Sequence, residues 1–343
     1  MLGLEGFFAG LAGLAGLAGL VLGRAVASIL TCPPFIACCP PREGLSLDPR
    51  KLAPYWPEAT AIGPKAYELE AEDIEVKVGG EGGEGGCLRG WLFKPDNAPK
   101  AVILMAHGAG RDRRSWLRMI PFLKQAGYIC IAFDFRNHGI SDPLDKPGCT
   151  LGLVESKDFG AMCKYVKARF AGMRIVLMGT STGAVSCVIS MATDPQVADI
   201  ASCAILENPF MSIEELSRDM VSNLIFQKLI CRDFVLAYWF LYPLMVVVRF
   251  FTVFQVKSSL RPYGLAEIPS CVDAIKLVKK VPLMLMHGEE DRIVPLRHGV
   301  EVARVGRLQD VWFCARSDHC QLWDTDAKEY ETRVLTFIAK HIR

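Results

Sequence analysis

Residues 174–183 read R-I-V-L-M-G-T-S-T-G, an apolar strand-like run that ends in a G-x-S-x-G turn and leads into the small residues of a helix. A serine on a tight turn between a strand and a helix needs small neighbours two positions before and after it. The reason is that the backbone is strained there and the side chain must stand clear of both elements. Gly179 and Gly183 meet this need. The pattern therefore predicts that Ser181 is a nucleophile at the end of a buried strand.

The rest of the chain alternates apolar runs with stretches of helical spacing. Near-continuous apolar runs are typical of strands that are buried on both faces of a mostly parallel sheet. They occupy residues 101–106, 128–133, 174–178, 201–206, 282–286 and 309–314, while helical spacing occupies 114–126, 153–170, 182–193, 296–304 and 326–342. Residues 74–78 and 87–93 predict a hairpin before this series. The predicted fold class is α/β, with a mostly parallel central sheet flanked by helices.

Two polar side chains follow the last two predicted strands. Asp291 lies in H-G-E-E-D-R-I-V-P, and His319 lies in S-D-H. Because the carboxyl ends of parallel strands meet at one edge of a sheet, we expect both side chains to converge on Ser181. A serine hydroxyl becomes a good nucleophile when a base takes its proton and an acid orients that base. The chain order Ser, Asp, His therefore predicts a catalytic triad with His319 as the base and Asp291 as the acid.

The acid and the base each have an alternative. Glu289 and Glu290 are the alternatives to Asp291, but the spacing H-G-x-x-D-x-x-V-P favours the aspartate. An ordinary surface histidine is the alternative for His319. Two other histidines, His107 and His287, each end a strand before a glycine, so local packing and hydrogen bonding explain them.

Backbone N–H groups are also needed, because they stabilise the negative charge of a tetrahedral intermediate. One donor comes from the residue after the nucleophile and one from the loop after the third strand. Thr182 is the first donor. The second is expected in H-G-A-G at 107–110, where Ala109 is favoured because Gly108 lets the peptide turn inward. A simple glycine turn is the alternative for this loop.

The chain resembles the α/β-hydrolase superfamily over residues 70–342, and the motifs that carry the resemblance are H-G-A-G at 107, D-F-R-N-H-G-I-S at 134, G-T-S-T-G at 179, H-G-E-E-D-R-I-V-P at 287 and S-D-H at 317. It is most similar to serine hydrolases of the prolyl-oligopeptidase-like or serine-aminopeptidase-like group. The resemblance implies the same five site residues in the same roles. It also implies that Asp134, Arg136 and His138 brace a turn through an ion pair and hydrogen bonds. Thr182 departs from the family, in which Met, Gln or Ile is frequent at that position.

An apolar segment begins the chain. Residues 6–23 carry no charge and are long enough to cross a bilayer once, although a glycine at every third position from Gly10 to Gly19 lowers their hydrophobicity. We therefore predict that residues 1–31 are a membrane anchor. A cleaved signal peptide is the alternative, since A-V-A at 25–27 imitates a cleavage site. However, the residues before the apolar run include Glu5 and neither Lys nor Arg, and Arg24 lies directly beside the site.

Residues 32–70 are rich in cysteine and proline and predict a linker that precedes a domain over 71–343. Cys32, Cys38 and Cys39 lie where juxtamembrane cysteines are commonly S-acylated, and three exposed free thiols are the alternative. The 13 cysteines of the chain are an odd number without disulfide-like spacing. We therefore expect reduced thiols and a catalytic domain that faces the cytosol.

Residues 208–262 interrupt the alternation and predict a helical cap inserted at the sheet edge. Within them, residues 234–254 are as apolar and as long as a bilayer span, but a second span would separate Ser181 and Asp291 across the membrane. A lid helix keeps the triad together, and an apolar lid favours a substrate with an acyl or other hydrophobic group. An ordinary cap packed on the sheet is the alternative.

The composition excludes several classes of protein. A hydrophobic fraction of 51% excludes a disordered or collagenous chain. The 39 Lys and Arg balance 37 Asp and Glu, which argues against nucleic acid as a partner, and no Cys/His spacing indicates a metal.

We expect a membrane-associated serine hydrolase without a cofactor that cleaves a small-molecule carboxylic ester or thioester with a hydrophobic acyl group through an acyl-enzyme. Amide or peptide hydrolysis is the alternative, and a non-catalytic membrane scaffold is less favoured.

Overall fold

The computed structural model describes residues 20–21, 24, 63–79, 85–145, 148–229, 235–266 and 268–342. Almost all of the predicted anchor and most of the predicted linker, including its three cysteines, lie outside the described residues. Residues 63–70 of that predicted linker are described. They contain a 3₁₀ turn over Pro64–Tyr67, and Leu69 is buried in the core.

The strands of the described residues form one sheet of eight, in the order β1-β2-β4-β3-β5-β6-β7-β8. Their bounds are β1 (Glu72–Val78), β2 (Gly86–Phe93), β3 (Ala101–Ala106), β4 (Tyr128–Phe133), β5 (Ile175–Thr180), β6 (Ala201–Glu207), β7 (Leu283–Gly288) and β8 (Asp310–Cys314). The hairpin β1–β2 joins β4 in antiparallel fashion, and all pairings from β4 to β8 are parallel. The predicted mostly parallel α/β architecture is confirmed.

Helices lie between the strands. Within the described chain the α-helices are α1 (Ile120–Gln125), α2 (Leu153–Arg169), α3 (Thr182–Thr193), α4 (Pro195–Ile200), α5 (Ile213–Leu229), α6 (Val235–Leu260), α7 (Cys271–Ala274), α8 (Arg297–Gly306), α9 (Leu322–Thr325) and α10 (Ala327–His341). The helical spacing over 114–126 is split into a 3₁₀ turn at Arg113–Trp116 and the short α1. Pro121 lies in the first turn of α1, where its missing N–H costs no hydrogen bond.

The sheet is buried on both faces. Along β3, Val102 and Leu104 join one hydrophobic cluster, while Ile103 and Met105 join the cluster on the opposite face. Side chains alternate between the faces of a strand, so a run that is apolar at every position needs helices on both sides. This explains why the apolar runs of the sequence predict the central strands so closely.

The carboxyl ends of four neighbouring strands are in register. Thr180 pairs with Glu207, Glu207 with Met286, and Gly288 with Cys314. The loops that follow β5, β6, β7 and β8 therefore start side by side. These four loops carry Ser181, Asn208, Asp291 and His319 of the site described below.

The turn after β4 is braced by ion pairs to residues outside the turn. Asp134 lies 3.1 Å from the Arg113 guanidinium, and Arg136 Nε lies 2.8 Å from Asp158. His138 Nδ1 is 2.9 Å from the Arg136 carbonyl oxygen. All five side chains are buried. They fix the turn and have a structural role, as the resemblance implies.

Two helices, α5 and α6, occupy the segment that the sequence predicts as a cap, and residues 230–234 between them lie outside the described residues. Polar contacts to α8 attach α5 to the rest of the domain: Asp219 accepts from Arg297 Nε at 2.9 Å and lies 2.8 Å from His298 Nε2. Met211 N–H donates to His298 Nδ1 at 3.1 Å, so the proton of the neutral ring lies on Nε2. Within the part of the chain that the structure describes, no helix combines the length and the apolar character that a membrane crossing requires.

Candidate active site

Ser181 lies in a strained turn between β5 and α3. Its φ is 53° and its ψ is −118°, and its N–H donates to the Glu207 carbonyl oxygen at 2.7 Å. A Cβ on Gly179 would lie 2.5 Å from the Gly183 carbonyl carbon, and a Cβ on Gly183 would lie 2.2 Å from the Ala106 carbonyl oxygen. Both distances are too short for any side chain. The two glycines therefore let β5, α3 and β3 approach closely enough to hold Ser181 in this conformation.

A chain of two hydrogen bonds joins Ser181 to His319 and Asp291. His319 Nε2 is 3.1 Å from Ser181 Oγ, and its Nδ1 is 2.7 Å from Asp291 Oδ2. When Nδ1–H donates to the carboxylate, Nε2 is left to accept the serine proton. The structure thus brings together the three residues that the sequence predicts for a catalytic triad.

The Asp291 carboxylate is held from three other directions. Its Oδ1 accepts from the N–H groups of Ile293 at 2.9 Å and Val294 at 2.7 Å, and its Oδ2 accepts from Asn208 Nδ2 at 2.6 Å. His287 Nε2 is 2.8 Å from the Val294 carbonyl oxygen, which holds the acid loop in place. These bonds favour the ionised carboxylate and fix the oxygen that faces His319.

The two groups shift each other's pKa. Burial of Asp291 works to raise its pKa, but the charge and hydrogen bond of His319 outweigh this, so the pKa of Asp291 is lowered. Burial of His319 works to lower its pKa, but the Asp291 charge outweighs it and raises the pKa of His319 well above its ordinary value. The pair therefore favours an imidazole that binds a proton firmly once it has taken it.

Glu289 and Glu290, the alternatives for the acid, are exposed, whereas Asp291 is 5% exposed. Their backbone N–H groups donate to the carbonyl oxygens of Cys314 and Ser317. They contribute backbone contacts to the site, and the carboxylate that faces His319 belongs to Asp291.

Two further residues at the site were missed by sequence reasoning. Asn208 directly follows β6 at a φ of 49°, and its amide holds Asp291 across 83 positions of sequence. Asp318 accepts from the N–H groups of Arg292 at 3.0 Å and His319 at 2.8 Å, and it pairs with the Arg292 guanidinium. Asp318 therefore ties the acid loop to the histidine loop. Asp318 could have been found from the sequence, because it is the middle residue of the S-D-H motif at 317–319. No motif of the sequence indicates Asn208.

The loop after β3 packs against Ser181, since a Cβ on Gly108 would lie 3.1 Å from the Cβ of Ser181. The Gly108 carbonyl oxygen accepts from Arg111 N–H at 3.1 Å and lies 2.8 Å from His107 Nδ1. Phe135 N–H donates to His107 Nε2 at 3.2 Å, so Nδ1 carries the proton of the ring. Burial lowers the pKa of His107 to about 3, which keeps the ring neutral.

The orientation of this carbonyl fixes the next N–H group. In a trans peptide unit, the Gly108 carbonyl and the Ala109 N–H point in opposite directions. The Ala109 N–H therefore points away from the two donors that hold the carbonyl. Thr182 is the first residue of α3, where a backbone N–H has no acceptor one turn earlier in its helix. Both predicted oxyanion donors thus lie on backbone that is adjacent to Ser181.

A buried polar cluster supports the site from behind. The Glu207 side chain accepts from Tyr330 Oη at 3.0 Å, and Thr180 Oγ1 is 2.9 Å from Cys320 Sγ. Burial raises the pKa of Glu207 to about 7. Glu207, whose backbone carbonyl oxygen accepts the Ser181 N–H, is therefore also bound to α10 through its side chain. Among the described residues no group of His, Cys, Asp and Glu side chains could hold a metal ion.

A sequence model described as the Alpha/beta hydrolase family matches residues 103–331. The curated Escherichia coli protein YfhR, described as uncharacterized, is 20% identical over 248 residues, which are 71% of this chain and 70% of YfhR. The Pyrococcus furiosus esterase Pf2001 has a similar structure, with a TM-score of 0.59 at 22% identity over 82% of this chain and 97% of the esterase. A thermostable carboxyl esterase from Bacillus coagulans has a TM-score of 0.53 at 16% identity over 79% of this chain and 99% of its own.

We predict that Asp291→Asn lowers the pKa of His319, because the substitution removes the charge that outweighs burial and stabilises the imidazolium. An NMR titration of the His319 ring measures this pKa. Glu290→Gln is the matched control, since it removes a neighbouring but exposed charge and is expected to change the pKa little. Equal shifts in the two variants would contradict the pairing of Asp291 with His319.

Proposed function

The chain belongs to the alpha/beta hydrolase family, and on this premise we propose that it is a serine hydrolase that cleaves a carboxylic ester or thioester through an acyl-enzyme. The hydrogen-bond chain from Ser181 through His319 to Asp291 carries the proposal. Three groups of this kind, at these distances and in this order, can activate a serine hydroxyl without a cofactor.

In the acylation step, His319 Nε2 takes the hydroxyl proton as Ser181 Oγ attacks the substrate carbonyl carbon. The imidazolium that forms is stabilised by the ionised Asp291. The negative charge on the carbonyl oxygen is stabilised by the N–H groups of Ala109 and Thr182. The intermediate then collapses, the bond to the leaving group breaks, and His319 gives its proton to the departing oxygen or sulfur.

In the deacylation step, a water molecule replaces the leaving group. His319 takes a proton from the water as its oxygen attacks the acyl carbon of the Ser181 ester. The second tetrahedral intermediate collapses, the bond to Ser181 Oγ breaks, and the proton returns to that oxygen. The products are a carboxylic acid and the restored serine.

An apolar cap helix supports a hydrophobic acyl group in the substrate. Val246, Phe250 and Phe254 follow each other at intervals of four along α6 and are all exposed, so they form one apolar stripe on the helix. An exposed apolar patch of this kind fits contact with an apolar ligand or a lipid surface. Amide or peptide hydrolysis would use the same three residues and is the second candidate, favoured only by the resemblance to serine aminopeptidases.

The apolar segment 1–31 supports membrane attachment of the whole chain, and the cysteines without disulfide-like spacing support a catalytic domain that faces the cytosol. The segment precedes β1 by about 40 positions of sequence. Since Leu69 is buried in the domain, the proline-rich residues 32–62 are the proposed linker, and they allow the domain to lie at a distance from the bilayer.

We predict that Ser181→Ala abolishes labelling by a fluorophosphonate probe and leaves the far-UV circular dichroism unchanged, because the substitution removes one oxygen and little packing. His319→Ala and Asp291→Asn should each lower kcat by a factor on the order of 10⁴ on a reactive ester, and the double variant should lose little more. Glu289→Gln is the matched control and should retain activity. Labelling of the Ser181→Ala chain by the fluorophosphonate probe would contradict the proposal.

Deletion of residues 1–45 is expected to move the protein from the membrane pellet to the supernatant, because it removes the proposed anchor. The measurement is an immunoblot of fractionated cells at low and high salt. If the deleted chain still pellets in high salt, the anchor assignment is wrong and the stripe on α6 is implicated. A mature chain that starts at Ser28 would establish a cleaved signal peptide instead.

A further inference from the structure

A cavity of about 490 Å³ lies between the cap helices and the outer side of α3. Its volume is within the range of about 300–1,000 Å³ that is typical of small-molecule sites. None of the five site residues of the proposed reaction lines it. The cavity comes near them through Val185, whose N–H donates to the Ser181 carbonyl oxygen at 3.1 Å, so it lies one helical turn beyond the nucleophile.

The interior of the cavity is mainly apolar. Side chains from α2, α3, α6 and the loops that precede α5 and α7 form its wall, and they include Leu153, Val185, Ile189, Phe210, Phe254 and Leu265. Such a lining favours a ligand with an extended hydrocarbon part, because each buried methylene contributes to binding.

The entrance of the cavity is cationic. Lys257 and Arg261 line the cavity and are exposed, so they lie where it opens to solvent. Lys257 pairs with Glu214 at 2.7 Å, whereas no acidic side chain of the described residues forms an ion pair with Arg261. Among the described residues that line the cavity, two cations and one carboxylate therefore leave one positive charge at the entrance. Exposed Phe254 lies at the same opening and belongs to the apolar stripe on α6.

We propose that this cavity binds a long-chain carboxylate, with its hydrocarbon chain against Val185 and Ile189 and its carboxylate at Arg261. An apolar interior, with one positive charge in excess among the described residues at its entrance, is complementary to a single-chain anionic amphiphile. A short ligand or an uncharged ligand would fit less well. The inference goes beyond the proposed function, because binding here uses none of the five site residues.

Isothermal titration calorimetry on the full-length Ser181→Ala chain tests the proposal without turnover of any ester. Laurate is expected to bind at one site, and acetate is expected to give no heat, because each buried methylene changes the affinity by about fourfold. Dodecanol has the same chain without the charge and should bind more weakly than laurate. Failure of laurate to bind, or equal binding of laurate and dodecanol, would overturn the proposal.

Two adjacent serines of α6 provide matched variants. Ser258 lines the cavity and Ser259 does not, and both are exposed. Ser258→Trp should fill the entrance and weaken laurate binding by at least about tenfold, whereas Ser259→Trp should leave the affinity within about twofold. Equal losses in the two variants would place the ligand elsewhere.

Arg261→Gln keeps the proposal testable if Ser258→Trp does not fold. It should weaken laurate binding by up to about fivefold and leave dodecanol binding unchanged, as expected for an exposed charge pair. Arg304→Gln, which removes an exposed cation on α8, is the control. The two proposals can fail separately. If the unsubstituted chain does not react with fluorophosphonate but the Ser181→Ala chain binds laurate, the cavity site is supported and the proposed hydrolase is rejected.

Discussion

The strained backbone of Ser181 is the constraint on which the rest of the site depends. A residue in a sparsely populated conformation costs about 1–3 kcal/mol, so the surroundings must over-determine it. Here β3, β5 and α3 approach so closely that only glycine fits at positions 179 and 183, and the Glu207 carbonyl accepts the Ser181 N–H. The side chain is thereby held at the sheet edge, where His319 reaches it at 3.1 Å.

The partners of Ser181 are positioned by contacts between loops. Asp318 joins the acid loop to the histidine loop through Arg292, and Asn208 joins the loop after β6 to the acid. Because the four strand ends are in register, each contact spans only neighbouring loops. In the proposed mechanism, activation of Ser181 therefore depends on Asn208, Arg292 and Asp318, which hold the acid and the base in place.

The sequence predicted what depends on local periodicity and on motif spacing. The apolar runs predicted the first and last residues of β3 and β4 correctly, since a strand buried on both faces has a continuous apolar pattern. It did not predict Asn208, or the partners Arg113 and Asp158 of the turn after β4, because these contacts join residues 21 to 83 positions apart and no motif marks the partner. Nor did it predict that Arg297 and His298 hold the cap helix α5, since nothing in the local pattern of α8 indicates a distant carboxylate.

Trapping the covalent intermediate tests the central claim most directly. The chain would be mixed with the p-nitrophenyl ester of octanoic acid, quenched in acid within the first turnover, digested and mapped by mass spectrometry. A serine hydrolase of the proposed kind carries one octanoyl group on Ser181, and the adduct is absent from the Ser181→Ala chain. Ester cleavage without any adduct on Ser181, or an adduct that maps to a cysteine such as Cys320, would contradict the assignment of the nucleophile.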